Sequence, residues 1–204
     1  MNKRINSSNR LFKIAEAQQG YFTTQQAIEA GYPDNTHTYH VQSKNWVREF
    51  RGIYRLAHFP VTEHPDLVRW YLWSRNREGK PEGIYSHETA LSLHELSDVM
   101  PTKLHMIVPP DFRRSGEIPK VLILHSLNLS PSDVTAMSGF KATRVIRAVT
   151  DVIQAGTLSD EFVRQAIKDG LRRGLITQGE IKKVTGLSPT AKEKFDQFIS
   201  ELKQ

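Results

Sequence analysis

Arg48, Arg51 and Arg55 stand within one eight-residue run, REFRGIYR, beside Phe50, Ile53 and Tyr54, residue types that strands favour. A guanidinium forks onto phosphate oxygens or reaches into a minor groove, so three of them on a short ribbon predict contact with a polyanion. Just upstream, the segment THTYHVQSK is short of apolar residues and leaves most of its surface free. On a helix, Thr36, His37, Tyr39, His40, Ser43 and Lys44 would share one face and leave Thr38 and Val41 to pack inward. Hydroxyl, imidazole and ammonium groups of this kind pair with base edges and backbone oxygens of double-stranded DNA. Thr24, at the start of the preceding helix, completes the predicted set of DNA contacts.

Those side chains need a frame, and the stretch from Gly20 to Ala57 reads as a winged helix-turn-helix. Thr23 precedes TQQAIEA as an N-cap, and Gly31 closes that helix where a left-handed turn is tolerated. Pro33 follows, and Asp34 or Asn35 caps the next helix, where a recognition helix would lie. Trp46 to Phe50 and Ile53 to Leu56 read as two strands with Gly52 at the tip, the wing. Upstream, Leu11, Phe12, Ile14 and Ala15 recur at helical spacing within Asn9 to Gln19, the first helix of a three-helix core. Lys3 and Arg4, on a polar arm before it, read as solvated charges.

The chain has 204 residues and a formal net charge of +6, and residues 1–60 hold eight Lys and Arg against four Asp and Glu. That imbalance favours polyanionic partners. With no cysteine there are no disulfides and no thiolate metal sites. No apolar run is long enough to span a membrane and MNKRINSSNR has no signal-peptide core, so a cytoplasmic protein with no membrane partner is expected. The run HFPVTEHP reads as a linker, dividing a winged domain (1–60) from a larger domain (61–204) with a small sheet and several helices, an α+β architecture. In the second part, helices are predicted over Asp66 to Asn76, after Ser86, over 143–153, over Asp160 to Arg173 with Phe162 inward, and after Ser188-Pro189. Lys103 to Val108 and Lys120 to His125 alternate as strands, and Thr177 with Glu180 forms a capping-box pattern.

Enzyme chemistry finds little support in the second part. His87 and His94 lie two helical turns apart, too far to chelate one ion unaided, and HExxH is absent, so neither they nor His105 predict a metal site. Asp111, Glu117 and Lys120 in PDFRRSGEIPK resemble a restriction-type nuclease pattern, but the lysine is displaced by one residue and Pro119 interrupts the strand. No phosphate-binding Gly-rich loop and no G-x-S-x-G elbow occurs. No catalytic residue, metal or cofactor is expected.

The winged segment ending in Arg51-Gly52-Ile53-Tyr54, followed by Thr143, Arg147 and Asp151 at four-residue spacing, is similar to the AbiEi-type antitoxin family. These are transcriptional regulators of bacterial type IV toxin-antitoxin systems. The resemblance covers nearly the whole chain and rests on order and spacing together. It departs at His37, Tyr39, His40 and Gln42, where such proteins often carry more Arg or Lys, which bears on DNA sequence preference. It implies a repressor that binds the operator of its own operon and counteracts a nucleotidyltransferase toxin without a stable complex, with a role in phage defence. The second domain would carry the antitoxin role. The residues themselves point only to DNA binding. Two alternatives stay open: a DNA-targeted metal-dependent nuclease, and a ligand-sensing transcription factor without a toxin partner.

Overall fold

The computed structural model describes residues 2–60, 64–96, 98–114 and 116–202, with the side chains of residues 2–5, and so of Lys3 and Arg4, outside the description. Two compact units divide the chain, Met1–Gly83 with Ala136–Lys141, and Ile84–Thr135 with Ala142–Gln204.

In the first unit, α1 (Asn2–Glu16) starts seven residues before the apolar spacing predicts. No Gly or Pro precedes Gly20, so nothing breaks the helix through the polar arm. Strand β1 (Tyr21–Thr23) is too short to show any periodicity, and it leads into α2 (Thr24–Ala30) through a complete capping box. Thr23 Oγ1 accepts from the Gln26 N–H at 3.2 Å, and Gln26 Oε1 accepts from the Thr23 N–H at 2.9 Å. Gly31 closes α2 at φ 101°, where a Cβ would come within 2.6 Å of Ser7 Oγ on α1. A 3₁₀ turn over Asp34–Thr36 then feeds α3 (His37–Gln42). Neither Asp34 nor Asn35 caps α3, contrary to expectation, because the turn continues into the helix and Thr36 Oγ1 donates back to Pro33 O at 2.7 Å.

Strands β2 (Trp46–Phe50) and β3 (Ile53–Leu56) form a hairpin about Arg51-Gly52, and β3 lies between β1 and β2. Leu11, Ala15, Phe22, Ala27, Ala30, Trp46 and Tyr54 make the core of this winged helix-turn-helix. Helix α4 (Pro65–Trp73) buries Leu67, Val68, Trp70, Leu72 and Trp73, and the Trp70 ring meets Phe50 edge-on at 5.4 Å. Burial of that face keeps α4 with the winged segment. The compact unit therefore runs to Gly83, beyond the expected division at residue 60, and residues 61–63 of the expected linker lie outside the description.

The second unit is a five-stranded sheet with helices. Its strands are β4 (Ile84–Tyr85), β5 (Leu104–Val108), β6 (Leu122–Ser126), β7 (Val134–Ala136) and β8 (Lys141–Thr143), in the order β6-β5-β4-β8-β7. β5 and β6 run parallel, with Met106 opposite Leu124, while β4 is antiparallel to β5. The helices are α5 (His87–Leu93), α6 (Val145–Ala155), α7 (Asp160–Arg172), α8 (Gln178–Lys182) and α9 (Pro189–Glu201). Val149, Val152, Val163, Ile167, Phe195 and Phe198 join Leu91 and Leu96 in one core, whereas Phe162 stays 36% exposed rather than turning inward. Thr177 and Glu180 form the expected capping box, and Ser188 caps α9 by accepting from the Ala191 N–H. Among the described residues, no helix is long and apolar enough to cross a membrane.

Candidate nucleic-acid interface

The face that α3 presents is set one residue away from the predicted phase. His37, predicted to face outward, is 3% exposed, and Thr38, predicted to pack inward, is exposed. The His37 ring meets Trp46 at 5.2 Å and Tyr54 at 5.7 Å, both edge-on, and its Nε2 lies 2.9 Å from the Tyr32 carbonyl oxygen. One turn later Val41 packs on the same core. Polarity argued for an exposed histidine, but an aromatic cage holds the ring, with the Tyr32 carbonyl at Nε2 and the Asp34 carboxylate 3.3 Å from Nδ1. The sequence signal was the i, i+4 pairing of His37 with Val41 beside Trp46 and Tyr54.

Asn35, Thr38, Tyr39, Gln42 and Ser43 consequently form an exposed face of α3 and its flanks, with Tyr39 65% exposed. Their spacing matches one helical face. Thr36 is half-buried, its hydroxyl turned back to Pro33. His40 is half-buried too, stacked on Trp46 at 4.6 Å and 20° and meeting Tyr32 edge-on. Burial, then the neighbouring His37, holds its pKa below the ordinary imidazole value, so it is neutral near pH 7 with one donor and one acceptor.

The basic residues separate into two groups. Lys44, Arg48 and Arg51 are exposed and have no carboxylate partner among the described residues. Lys44 sits just after α3 at φ 57°, Arg48 is on β2 on the same side of the ribbon as Trp46, and Arg51 occupies the wing turn. Between Asp34 and Glu49 the chain carries no carboxylate, so α3 and the first half of the wing are free of negative charge. Arg55 belongs to the other group, being half-buried and paired with Glu49. Its Nε donates to Glu49 Oε1 at 3.0 Å, and with Tyr21, Glu49, Pro65 and Asp66 it lines a pocket on the α4 side of the sheet. Arg55 pairs across the ladder with Val47 while Arg48 pairs with Tyr54, so strand alternation sends the two guanidiniums to opposite faces. Thr24 is half-buried at the start of α2, its N–H donating to Gly52 O at 3.1 Å, which ties the wing turn to that helix.

In the second unit, Arg147 and Asp151 form the expected pair at 2.8 Å, and Asp133 stands 3.5 Å from the same guanidinium. Asp151 is 6% exposed, and burial pushes its carboxyl up to about 6 against the lowering pull of Arg147. Thr143 is fully buried, and its carbonyl oxygen lies 2.9 Å from His94 Nε2. Asp111 and Glu117 are exposed in the loop between β5 and β6, and Lys120 is exposed in the turn before β6, so none of the three sits on a strand.

The family model described as "Transcriptional regulator, AbiEi antitoxin" matches residues 9–57, which span α1 through β3. Among solved structures, the crystal structure of the RV2827C protein from Mycobacterium tuberculosis is similar in fold, with a TM-score of 0.57 at 10% identity. That likeness covers 95% of this chain and 76% of the other. No curated protein matches the sequence.

Proposed function

From the match of residues 9–57 to the model of AbiEi antitoxin transcriptional regulators, we propose that this chain is a sequence-specific DNA-binding repressor of its own operon and the antitoxin of a type IV system. Its toxin would be a nucleotidyltransferase that it counteracts without a stable complex. The observation that carries the DNA-binding part is the carboxylate-free stretch 35–48, with Tyr39 exposed and Lys44, Arg48 and Arg51 exposed without a carboxylate partner among the described residues. Thr38, Tyr39, Gln42 and Ser43 read base edges in a major groove, with His40 at the margin of that face. Lys44, Arg48 and Arg51 hold phosphates, Thr24 and Thr36 lie beside the backbone path, and His37 and Arg55 serve the fold.

The test compares the native operator with a random duplex of equal length. Loss of a base-edge contact is worth about 1–3 kcal/mol on the right sequence, whereas loss of a phosphate contact weakens all sequences alike. Tyr39→Ala and Gln42→Ala are expected to lower operator affinity about five- to hundredfold and to leave the random duplex nearly unchanged. Equal losses on both DNAs would remove α3 from the groove. His37→Ala, by contrast, is expected to lower the melting temperature and to weaken both duplexes together, because it opens a cavity under Trp46 and Tyr54.

The antitoxin part has a separate test. Full-length protein with Arg48 and Arg51 changed to Ala is expected to rescue cells from the toxin, the toxin being expressed from an unrelated promoter so that repression cannot imitate neutralisation. Failure of a folded variant to rescue would make DNA binding itself the protective activity. The full chain is used because cutting near residue 64 removes α4 and strips Trp70 from Phe50.

A further inference from the structure

We propose that His87, His105 and His125 form a three-imidazole binding site for a divalent transition metal of the zinc type, with Glu88 holding the His105 ring in its ligating tautomer. Sequence spacing does not bring these residues together, since they stand on α5, β5 and β6. The fold does so in two ways. The Ser86 N–H donates to His105 O at 3.0 Å, and the His105 N–H donates to Thr89 Oγ1 at 2.8 Å, which clamps the start of α5 onto β5. On the parallel pair β5 and β6, His105 registers with Ile123 and Ile107 with His125, so the two histidines lie on one face a diagonal step apart. One nitrogen of each of the three imidazoles lies within 4.8 Å of the others.

The nitrogen accounting leaves a lone pair for a cation once His125 turns its protonated nitrogen away. Glu88 Oε2 lies 3.1 Å from His105 Nε2 and can only accept, so Nε2 carries the proton and Nδ1 keeps its lone pair. That Nδ1 faces His125 Nε2 at 3.1 Å. Metal–nitrogen bonds of about 2.0–2.1 Å at a tetrahedral angle put ligating nitrogens roughly 3.3 Å apart, close to this separation. A carboxylate on the far nitrogen of a ligating histidine is the usual orienting partner, and Thr157 Oγ1 in turn donates to Glu88 Oε1 at 2.6 Å. His87 Nδ1 is turned to Ser86 Oγ at 2.9 Å, leaving its Nε2 for the ion.

His87 and His105 are 4% and 7% exposed, and His87 holds φ 52°, a left-handed backbone that a non-glycine residue adopts only where its surroundings impose it. Burial lowers the pKa of all three imidazoles, His87 to about 3, so each offers a lone pair near pH 7. Arg147 acts against a cation here, but its charge is met by Asp151 at 2.8 Å and Asp133 at 3.5 Å. The rings of His87 and His125 stack at 3.8 Å and 16°, so closing on an ion requires rotation of His125, the half-exposed member. Three nitrogen donors without thiolates or carboxylates in the inner set suit zinc, cobalt or nickel and disfavour magnesium and calcium. A fourth position stays open for water.

The experiment is equilibrium dialysis of the chelator-treated full-length chain against Zn²⁺, with visible absorption of the Co²⁺-loaded protein as the report on geometry. One ion per chain and the d–d bands of four- or five-coordinate Co²⁺ are expected. His125→Gln, at the half-exposed position where folding is least at risk, removes both signals. Glu88→Gln keeps the spectrum and weakens binding about 10–100-fold. The double variant His58→Ala/His64→Ala, which changes two exposed histidines of the first unit, binds as the wild type does. Absence of stoichiometric binding, or binding that survives His125→Gln, or binding lost with His58 and His64, overturns the site.

Discussion

Changing Asp151 to Asn stabilises the protein at neutral pH and leaves its stability nearly unchanged at pH 4. Asp151 is in a salt bridge with Arg147 at 2.8 Å, yet burial outweighs that attraction and raises its carboxyl from 3.8 to about 6. For a group whose folded pKa is raised, the stabilising contribution is fully present below the unfolded value and is lost as pH rises through the folded one. The window is therefore about pH 4 to 6. At 1.36 kcal/mol per pKa unit, the ionised form costs about 3 kcal/mol at pH 7, which the amide does not incur. Denaturant unfolding of both proteins at pH 4 and pH 7.5 measures the difference, and curves that stay parallel across this range would refute it. Arg147→Ala moves stability the other way, by about 1 kcal/mol from the charge at neutral pH, because Asp151 without its partner is pushed up further and takes up a proton.

Replacing Arg48 and Arg51 together by Ala flattens the salt dependence of DNA binding. Each phosphate neutralised on B-DNA contributes about 0.9 to the slope of log affinity against log salt, so the double variant loses about 1.8. A fourfold rise in salt then weakens the variant about twelvefold less than the wild type. Arg55→Ala gives the contrasting result. It leaves the slope in place and lowers the melting temperature, because Glu49, 17% exposed, loses its 3.0 Å partner and keeps Arg69 at 3.8 Å. A slope unchanged by Arg48→Ala/Arg51→Ala would place the wing away from the phosphates, and a slope flattened by Arg55→Ala would place that residue at them.

The order of elements in the winged segment was legible from local chemistry. Thr23 and Gly31 bound α2, and Gly52 turns the hairpin, because caps and tight turns depend on residue types within a few positions of each other. The same holds for the Thr177–Glu180 box and for Ser188-Pro189 at the start of α9. The strands of two or three residues, β1, β4, β7 and β8, escaped because so few residues display no alternation.

By itself, then, the sequence determined that residues 20–57 form a basic winged helix-turn-helix and that an α+β unit follows, since turn residues and apolar period act locally. Which side chains face outward was decided only by tertiary packing. His37 turned inward because Trp46 and Tyr54, from two strands, close an aromatic cage around it, and Arg55 is paired because Glu49 and α4 lie on its face of the sheet. The meeting of His87, His105 and His125 was beyond any spacing argument, because a parallel strand pair and a helix start bring together residues that are 18 to 38 positions apart in the chain.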